Sequence, residues 1–232
     1  MKLSVIIPAL NEERTIADVV KRVMQSPLDK EIIVVDDGST DSTPKILEIL
    51  KTQYGIKVLR HPQRRGKGAA LRTGFKEATG DIVIVQDADG EYHPEEFEIL
   101  IQPIVRGWAD AVYGSRFIGA HRVFSGSHRF GNWGVNLIAN ILYDTMLTDL
   151  ETGYKAIRRE ILQSFPLSSN DFRIEVEITA RLFRGRYRVY EVPISYSGRT
   201  QAEGKKLTWR DGFWAVLALF QFRFDNPQRI TR

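Results

Sequence analysis

The chain has 232 residues, no cysteine, 43% apolar and 27% charged residues, and a formal net charge of +4. That length holds one large domain with a sizeable core, and the composition excludes disordered and fibrous proteins. The lack of cysteine removes disulfides, thiolate metal sites and cysteine nucleophiles. Charge is unevenly spread: residues 1–120 carry 16 Lys+Arg against 18 Asp+Glu, and residues 121–232 carry 17 against 11. An acidic half beside a basic half points to two jobs, such as a metal site and an anion or membrane contact.

In chain order, Leu3–Ile7, Glu31–Asp36, Ile56–Leu59, Ile82–Gln86 and Ala111–Tyr113 read as strands. Several are continuously apolar, as parallel strands buried on both faces are. Between them Thr15–Met24, Pro44–Leu50, Ala69–Ala78 and Glu95–Val105 space their apolar residues as helices do. Thr43-Pro44 reads as a cap with proline in the first helical position, and His93-Pro94-Glu95-Glu96 opens a helix with acids in its first turn. Past Ser115, Gly119–Gly134 is rich in Gly, Ser, His and Arg and reads as a long loop. Asn132–Leu147 and Ile174–Phe183 read as helices, Tyr187–Tyr196 as a strand and Trp209–Phe224 as an aromatic-rich helix. The alternation implies a doubly wound α/β sheet with ligands at the carboxyl ends of its strands.

A secretory signal is not expected: only Lys2 precedes the apolar run Leu3–Leu10, and Glu12 and Glu13 follow it. The longest apolar run, Phe213–Phe220, is far shorter than the roughly 20 residues that span a bilayer. A soluble cytoplasmic protein is the expectation.

The chemistry gathers at strand ends. Asp87, Asp89 and Glu91 alternate just after the fourth strand and converge on one side in extended chain. Oxygen-only ligands suit Mg²⁺ or Mn²⁺ shared with substrate phosphates, whereas the bland alternative is a solvated acidic turn. An EF-hand loop is disfavoured because Tyr92 stands where its glycine belongs. Asp36-Asp37-Gly38-Ser39-Thr40-Asp41 follows the second strand as either a base- or ribose-binding segment or a capped turn. Asn11-Glu12-Glu13 follows the first, with Asn11 readable as a helix cap. Gly66-Lys67-Gly68 opens a helix with N–H groups and a cation that favour phosphate, or forms a basic turn. It fits neither the P-loop nor the dinucleotide fingerprint. Glu175 and Glu177 read as well as solvent-facing salt-bridge residues as anything else, and the four histidines have no metal-like spacing.

In this order, Val5-Ile6-Ile7-Pro8-Ala9-Leu10-Asn11-Glu12, Val34-Val35-Asp36-Asp37-Gly38-Ser39-Thr40-Asp41, Gly66-Lys67-Gly68 and Gln86-Asp87-Ala88-Asp89 resemble family 2 glycosyltransferases of the GT-A fold. The likeness continues through Tyr113-Gly114-Ser115-Arg116-Phe117, Thr148–Lys155, Arg199-Thr200 and Glu203–Lys206, and it is to the polyprenyl-phosphate branch, the dolichol-phosphate mannose synthase-like enzymes. The resemblance implies a Rossmann-like, mixed but mostly parallel sheet flanked by helices. Residues 1–208 would form this domain, divided into a nucleotide-sugar half (1–115) and an acceptor half (116–208), with 209–232 as a helical extension. Asp87, Asp89 and Glu91 would hold Mg²⁺ or Mn²⁺ on the donor diphosphate. Pro8, Leu10, Glu12, Asp37, Gly38 and Lys67 would line the nucleotide pocket, while Arg116, Arg129 and Lys206 would bind the acceptor phosphate. Asp149 would orient the acceptor or act as base.

The expected reaction is inverting transfer of a hexose from a GDP-mannose- or UDP-glucose-type donor to a polyprenyl phosphate such as dolichyl or undecaprenyl phosphate. The alternative keeps the donor site but uses a soluble or saccharide hydroxyl acceptor with Asp149 as base. Nucleic acid is not an expected partner: despite an isoelectric point near 9.3, cations are scattered among acids and form no basic stripe. The intact Asp87, Asp89 and Lys67 argue against an inactive scaffold. The aromatic helix Trp209–Phe224, with Arg210 and Arg223, fits peripheral contact with the cytoplasmic membrane face. Packing on the domain, a homodimer face or a membrane-protein partner are equal alternatives for it.

Overall fold

A computed structural model describes residues 1–120, 126–198 and 209–225, without the side chains of 126–130 and 209–211. Arg129, His121, His128, Arg199, Thr200, Glu203–Lys206 and residues 226–232 therefore lie outside the described residues or side chains.

The apolar runs of the first half form β1 (Leu3–Ala9), β2 (Lys30–Asp36), β3 (Lys57–Arg60), β4 (Ile82–Val85) and β5 (Ala111–Ser115). Helices α1 (Ile16–Gln25), α2 (Thr43–Tyr54), α3 (Lys67–Glu77) and α4 (Phe97–Val105) connect them. The second half adds α5 (Gly126–Tyr143), β6 (Lys155–Arg158), α6 (Arg159–Ser164), α7 (Arg173–Arg184), β7 (Val189–Pro193) and α8 (Trp209–Phe224). The described strands form one seven-stranded sheet in the order β3-β2-β1-β4-β6-β5-β7. All pairings are parallel except those of β6, which runs antiparallel to both β4 and β5.

Alternation along β1 explains why it is apolar on both faces. Ile6 joins Ile33, Val35, Val83 and Val85 in a core that includes residues of α3, α7 and α8. Leu3, Val5 and Ile7 join Ile32, Val34, Ile82 and Ile84 in the opposite core, with α1, α2 and α4. Both faces of the sheet are dry, so the strand is apolar apart from Ser4, whose buried hydroxyl donates to Glu31.

Several expectations are corrected. The Gly119–Gly134 loop is shorter, because α5 starts at Gly126 rather than Asn132. Low intrinsic helix propensity hid those first turns, and packing overrides propensity. The helix ends at Tyr143, and Asp144 takes a left-handed conformation at φ 52° just after it. Asn11 is not a helix cap: at φ 53° it bridges to the β2–α2 loop, accepting the Thr40 N–H at 2.9 Å. Thr43 is inside α2, its N–H donating to Asp41 and its hydroxyl accepting the Glu12 N–H. A 3₁₀ turn, Pro94–Glu96, precedes α4.

Candidate active site

Because β1, β2, β4, β5 and β7 point the same way, their carboxyl ends share one rim of the sheet, and β6 begins there. On the β1–β2 side, backbone and side chains of Asn11–Glu13 and Ser39–Thr43 are stitched together. The Asn11 N–H donates to Ser39 at 2.9 Å, and Glu13 exchanges bonds with Asp41 and Ser42. Glu12 is buried with its carboxylate accepting from Thr15 at 3.1 Å, while Pro8 and Leu10 are partly exposed beside it. Gly38, at φ 77°, lies against the Gln63–Arg64 backbone.

Asp37 is only 3% exposed, and both of its oxygens are engaged inside the protein. One accepts from His61 Nδ1 at 2.7 Å and the Arg65 N–H at 2.9 Å, and the other accepts the Gly66 N–H at 2.7 Å. The carboxylate thus ties down the β3–α3 loop. His61 continues to the Thr73 hydroxyl at 3.0 Å. Sequence spacing gives no hint of this pairing across 24 residues.

The start of α3 is not an open anion cradle. The Ala69 N–H donates to the Asn170 carbonyl at 3.1 Å, and a Cβ on Gly68 would lie 2.4 Å from the Ser169 carbonyl. Glycine is there for backbone contact with the 168–171 loop. Lys67 turns to β4 instead: its Nζ lies 2.8 and 3.0 Å from the two oxygens of Asp87 and 3.4 Å from Glu175 Oε1. Burial alone would lower this ammonium's pKa, but Asp87 and Glu175 outweigh it and hold Lys67 above its ordinary value.

Glu175 and Glu177 are the main correction, since both are buried rather than solvent-facing. Glu175 Oε2 pairs at 2.6 Å with Lys155, whose ammonium also donates to the Leu150 and Thr152 carbonyls and sits 4.6 Å from the Tyr113 ring centroid. Burial dominates at Lys155 and lowers its pKa. Glu177 accepts the Ser168 and Ser169 N–H groups, fixing the loop that covers α3. The 3.6-residue pattern of α7 was legible, but its charged face looks inward because each charge has a partner from another element.

The loop before β6 closes over these groups. Gly153 donates its N–H to Tyr92 Oη at 3.0 Å, and a Cβ there would lie 2.6 Å from Asp87 Oδ2 and 3.0 Å from Lys67 Nζ. Tyr92 stacks on Tyr154, centroids 4.9 Å apart. Asp149 is fully buried and grips Arg116 through a two-pronged pair, both contacts at 2.7 Å, besides accepting the Arg116 N–H at 3.0 Å. Burial opposes the guanidinium charge, yet Asp149 more than offsets it and raises the Arg116 pKa. Between Asp149 and Gly153, burial pushes the Glu151 carboxyl up.

Among the expected metal ligands, Asp87 holds Lys67, Asp89 accepts the Glu91 N–H at 3.1 Å, and Glu91 accepts the Tyr196 hydroxyl. Among the described residues no three His, Asp or Glu side chains are gathered as a preformed metal cage. The donor chemistry nonetheless fits a hard divalent ion that takes oxygen ligands and keeps places for water and phosphate.

The description Glycosyl transferase family 2 matches residues 4–165. A dolichol-phosphate mannosyltransferase of Pyrococcus furiosus is 34% identical over 88% of this chain, which spans 59% of that protein's length. An undecaprenyl-phosphate mannosyltransferase of Micrococcus luteus is 29% identical over 88% of this chain and 87% of its own. In three dimensions the chain is similar to glucosyl-3-phosphoglycerate synthase of Mycobacterium tuberculosis, solved with Mn²⁺, UDP and glucosyl-3-phosphoglycerate. That likeness has a TM-score of 0.73 and 26% identity, covering 97% of this chain and 81% of that one. The chain belongs to the glycosyltransferases of family 2, and its sheet is that of the GT-A fold.

Proposed function

We propose that the protein transfers a hexose, of the mannose or glucose kind, from a nucleotide sugar to a polyprenyl phosphate. The observation that carries this reading over a hydroxyl acceptor is the Asp149–Arg116 pair. A hydroxyl nucleophile needs a base, and a carboxylate whose two oxygens both bind one guanidinium is a poor one. A phosphate monoester is already an anion at neutral pH, its second pKa being about 6. It needs a fixed cation, and Asp149 fixes Arg116. The mannosyltransferase relatives support the same choice of acceptor.

In this reading Asp87, Asp89 and Glu91 hold Mg²⁺ or Mn²⁺. The ion, when bound, offsets the negative charge that grows on the leaving nucleoside diphosphate. The chain does the positioning. Pro8, Leu10, Glu12 and Gly38 frame the nucleotide, Asp37 anchors the loop beneath it, and Lys67 faces the diphosphate. Arg116 presents its guanidinium to the acceptor phosphate, with Arg129 and Lys206 proposed as further cations from outside the described side chains.

Membrane contact belongs to the same proposal. No described helix is long and apolar enough to cross a bilayer. Helix α8 packs on the domain through Ala215, Ala218, Leu219 and Phe222, while Phe213, Trp214, Leu217, Phe220 and Phe224 are exposed on its outer side. Trp133, Leu137 and Ile141 of the adjoining α5 are exposed too. Such a face suits the interfacial layer where a polyprenyl phosphate presents its head group.

The test is transfer from GDP-mannose and UDP-glucose, each with Mn²⁺, to dolichyl and undecaprenyl phosphate and to a panel of soluble sugars. Lipid-linked sugar is expected. Product on the soluble acceptors alone, abolished by Asp149→Asn, would establish the hydroxyl reading instead.

A further inference from the structure

We propose that Lys67 is the resident cation of the metal site, holding Asp87 until a diphosphate arrives and thereby coupling metal binding to nucleotide binding. The inference rests on the reading that Asp87 and Asp89 take a divalent ion, and it assigns a positioning role to a residue of this chain.

Three observations carry it. First, Lys67 Nζ already engages both Asp87 oxygens, at 2.8 and 3.0 Å, and the loop at Gly153 lies so close that a Cβ there would come within 2.6 Å of Asp87 and 3.0 Å of Lys67. An ion that needs Asp87 must displace that ammonium. Second, Lys67 has a second berth. Glu175 Oε1 is buried, makes no hydrogen bond and stands 3.4 Å from Nζ, so a small swing of the side chain completes the contact. Third, the berth is fixed. The other Glu175 oxygen is pinned by Lys155, which is itself held by the carbonyls of Leu150 and Thr152.

Charge gives the exchange its direction. Lys67 is the cation that touches Asp87, so a divalent ion taken there without an anion sits beside the ammonium it has displaced. A nucleoside diphosphate puts negative charge between the two cations and gives Lys67 a new partner beside Glu175. The metal therefore binds weakly to the free protein and firmly to the nucleotide complex.

The test is Mn²⁺ titration of the full chain, with free ion followed by its electron paramagnetic resonance signal, alone and with GDP or UDP. The wild type is expected to bind at least about tenfold more tightly with nucleotide, which corresponds to one charge-assisted contact. Lys67→Gln should bind about tenfold more tightly than wild type without nucleotide and lose most of the nucleotide enhancement. Lys67→Arg, whose fork grips a carboxylate more firmly, should bind several-fold more weakly with nucleotide. If the wild type binds no Mn²⁺ with either nucleotide, the metal reading itself is wrong. If it does bind, but Lys67→Gln gains nothing without nucleotide, the coupling role is overturned and the metal reading stands. Should Lys67→Gln fail to fold, an unchanged Lys67→Arg overturns the proposal.

Discussion

Gly153 shows how finely individual residues set this site. A methyl group there meets the ends of two side chains, Asp87 at 2.6 Å and Lys67 at 3.0 Å, and such ends can move aside. Gly153→Ala should therefore fold, with little change in melting temperature, yet displace the pair by a fraction of an ångström. Catalytic efficiency is expected to fall by about 10²-fold, the cost typical of small misplacements; wild-type kinetics would show the contact to be immaterial. The Arg116–Asp149 pair is different, because each partner leaves a buried charge when the other is removed. Arg116→Ala and Asp149→Ala should each cost about 3–5 kcal/mol, and the double variant well below their sum, in urea titrations. Additive losses would mean that the two side chains do not depend on each other. At this scale the sequence marks acids at strand ends because strand and acid are adjacent in the chain. It does not mark Lys155 with Glu175, or Asp37 with His61, whose partners lie 20 and 24 residues away and meet only through the fold.

Among the elements, α3 carries the sharpest test. Alanine is favoured over glycine inside a helix by about 1 kcal/mol, so propensity alone predicts that Gly68→Ala stabilises. The backbone of the 168–171 loop forbids it: the added Cβ meets the Ser169 carbonyl at 2.4 Å. We expect the variant to lose stability by several degrees of melting temperature; a gain would show that the loop yields. Long apolar or amphipathic elements were legible for the physical reason that their period survives in sequence. Two short ones, β6 and α6, were not. Residues 155–158 place two cations in four positions, and Lys155 tolerates a central strand only because Glu175 and two carbonyls satisfy it. A strand that owes its burial to distant partners has no local signature.

For the whole molecule, acidity and membrane affinity are the readable properties. Hydrogen bonds from Arg188 hold Asp110 below its usual value of 3.8, and those from Arg22 hold Glu95 below 4.5. Such depressed carboxyls stabilise the fold above their unfolded-state values, and that contribution is lost as pH falls through the lower folded-state values. Burial raises Glu151 and Glu191, whose cost at neutral pH is instead relieved on acidification. The acid loss should therefore set in below about pH 5, and Asp110→Asn should narrow the gap in urea midpoint between pH 6 and pH 3. An unchanged gap would show that Asp110 contributes nothing to it. On the surface, Phe213→Asp with Leu217→Asp should reduce co-flotation with anionic liposomes by about tenfold or more, since each residue offers a full apolar side chain. Both are exposed, so the melting temperature should hold. Undiminished flotation would place membrane contact elsewhere.

The antiparallel strand β6 has one more consequence, for how such a protein can be divided. It sits between β4 and β5, so a strand from beyond residue 150 is wedged between two strands that precede residue 116. Cutting the chain after Ser115 would strip β4 of one of its two neighbours and leave β5 with nothing on either side. On the proposed reading, donor and acceptor recognition would thus not be interchangeable modules that recombination could shuffle. A change of acceptor would have to come through substitutions made in place, on a scaffold that both substrates share.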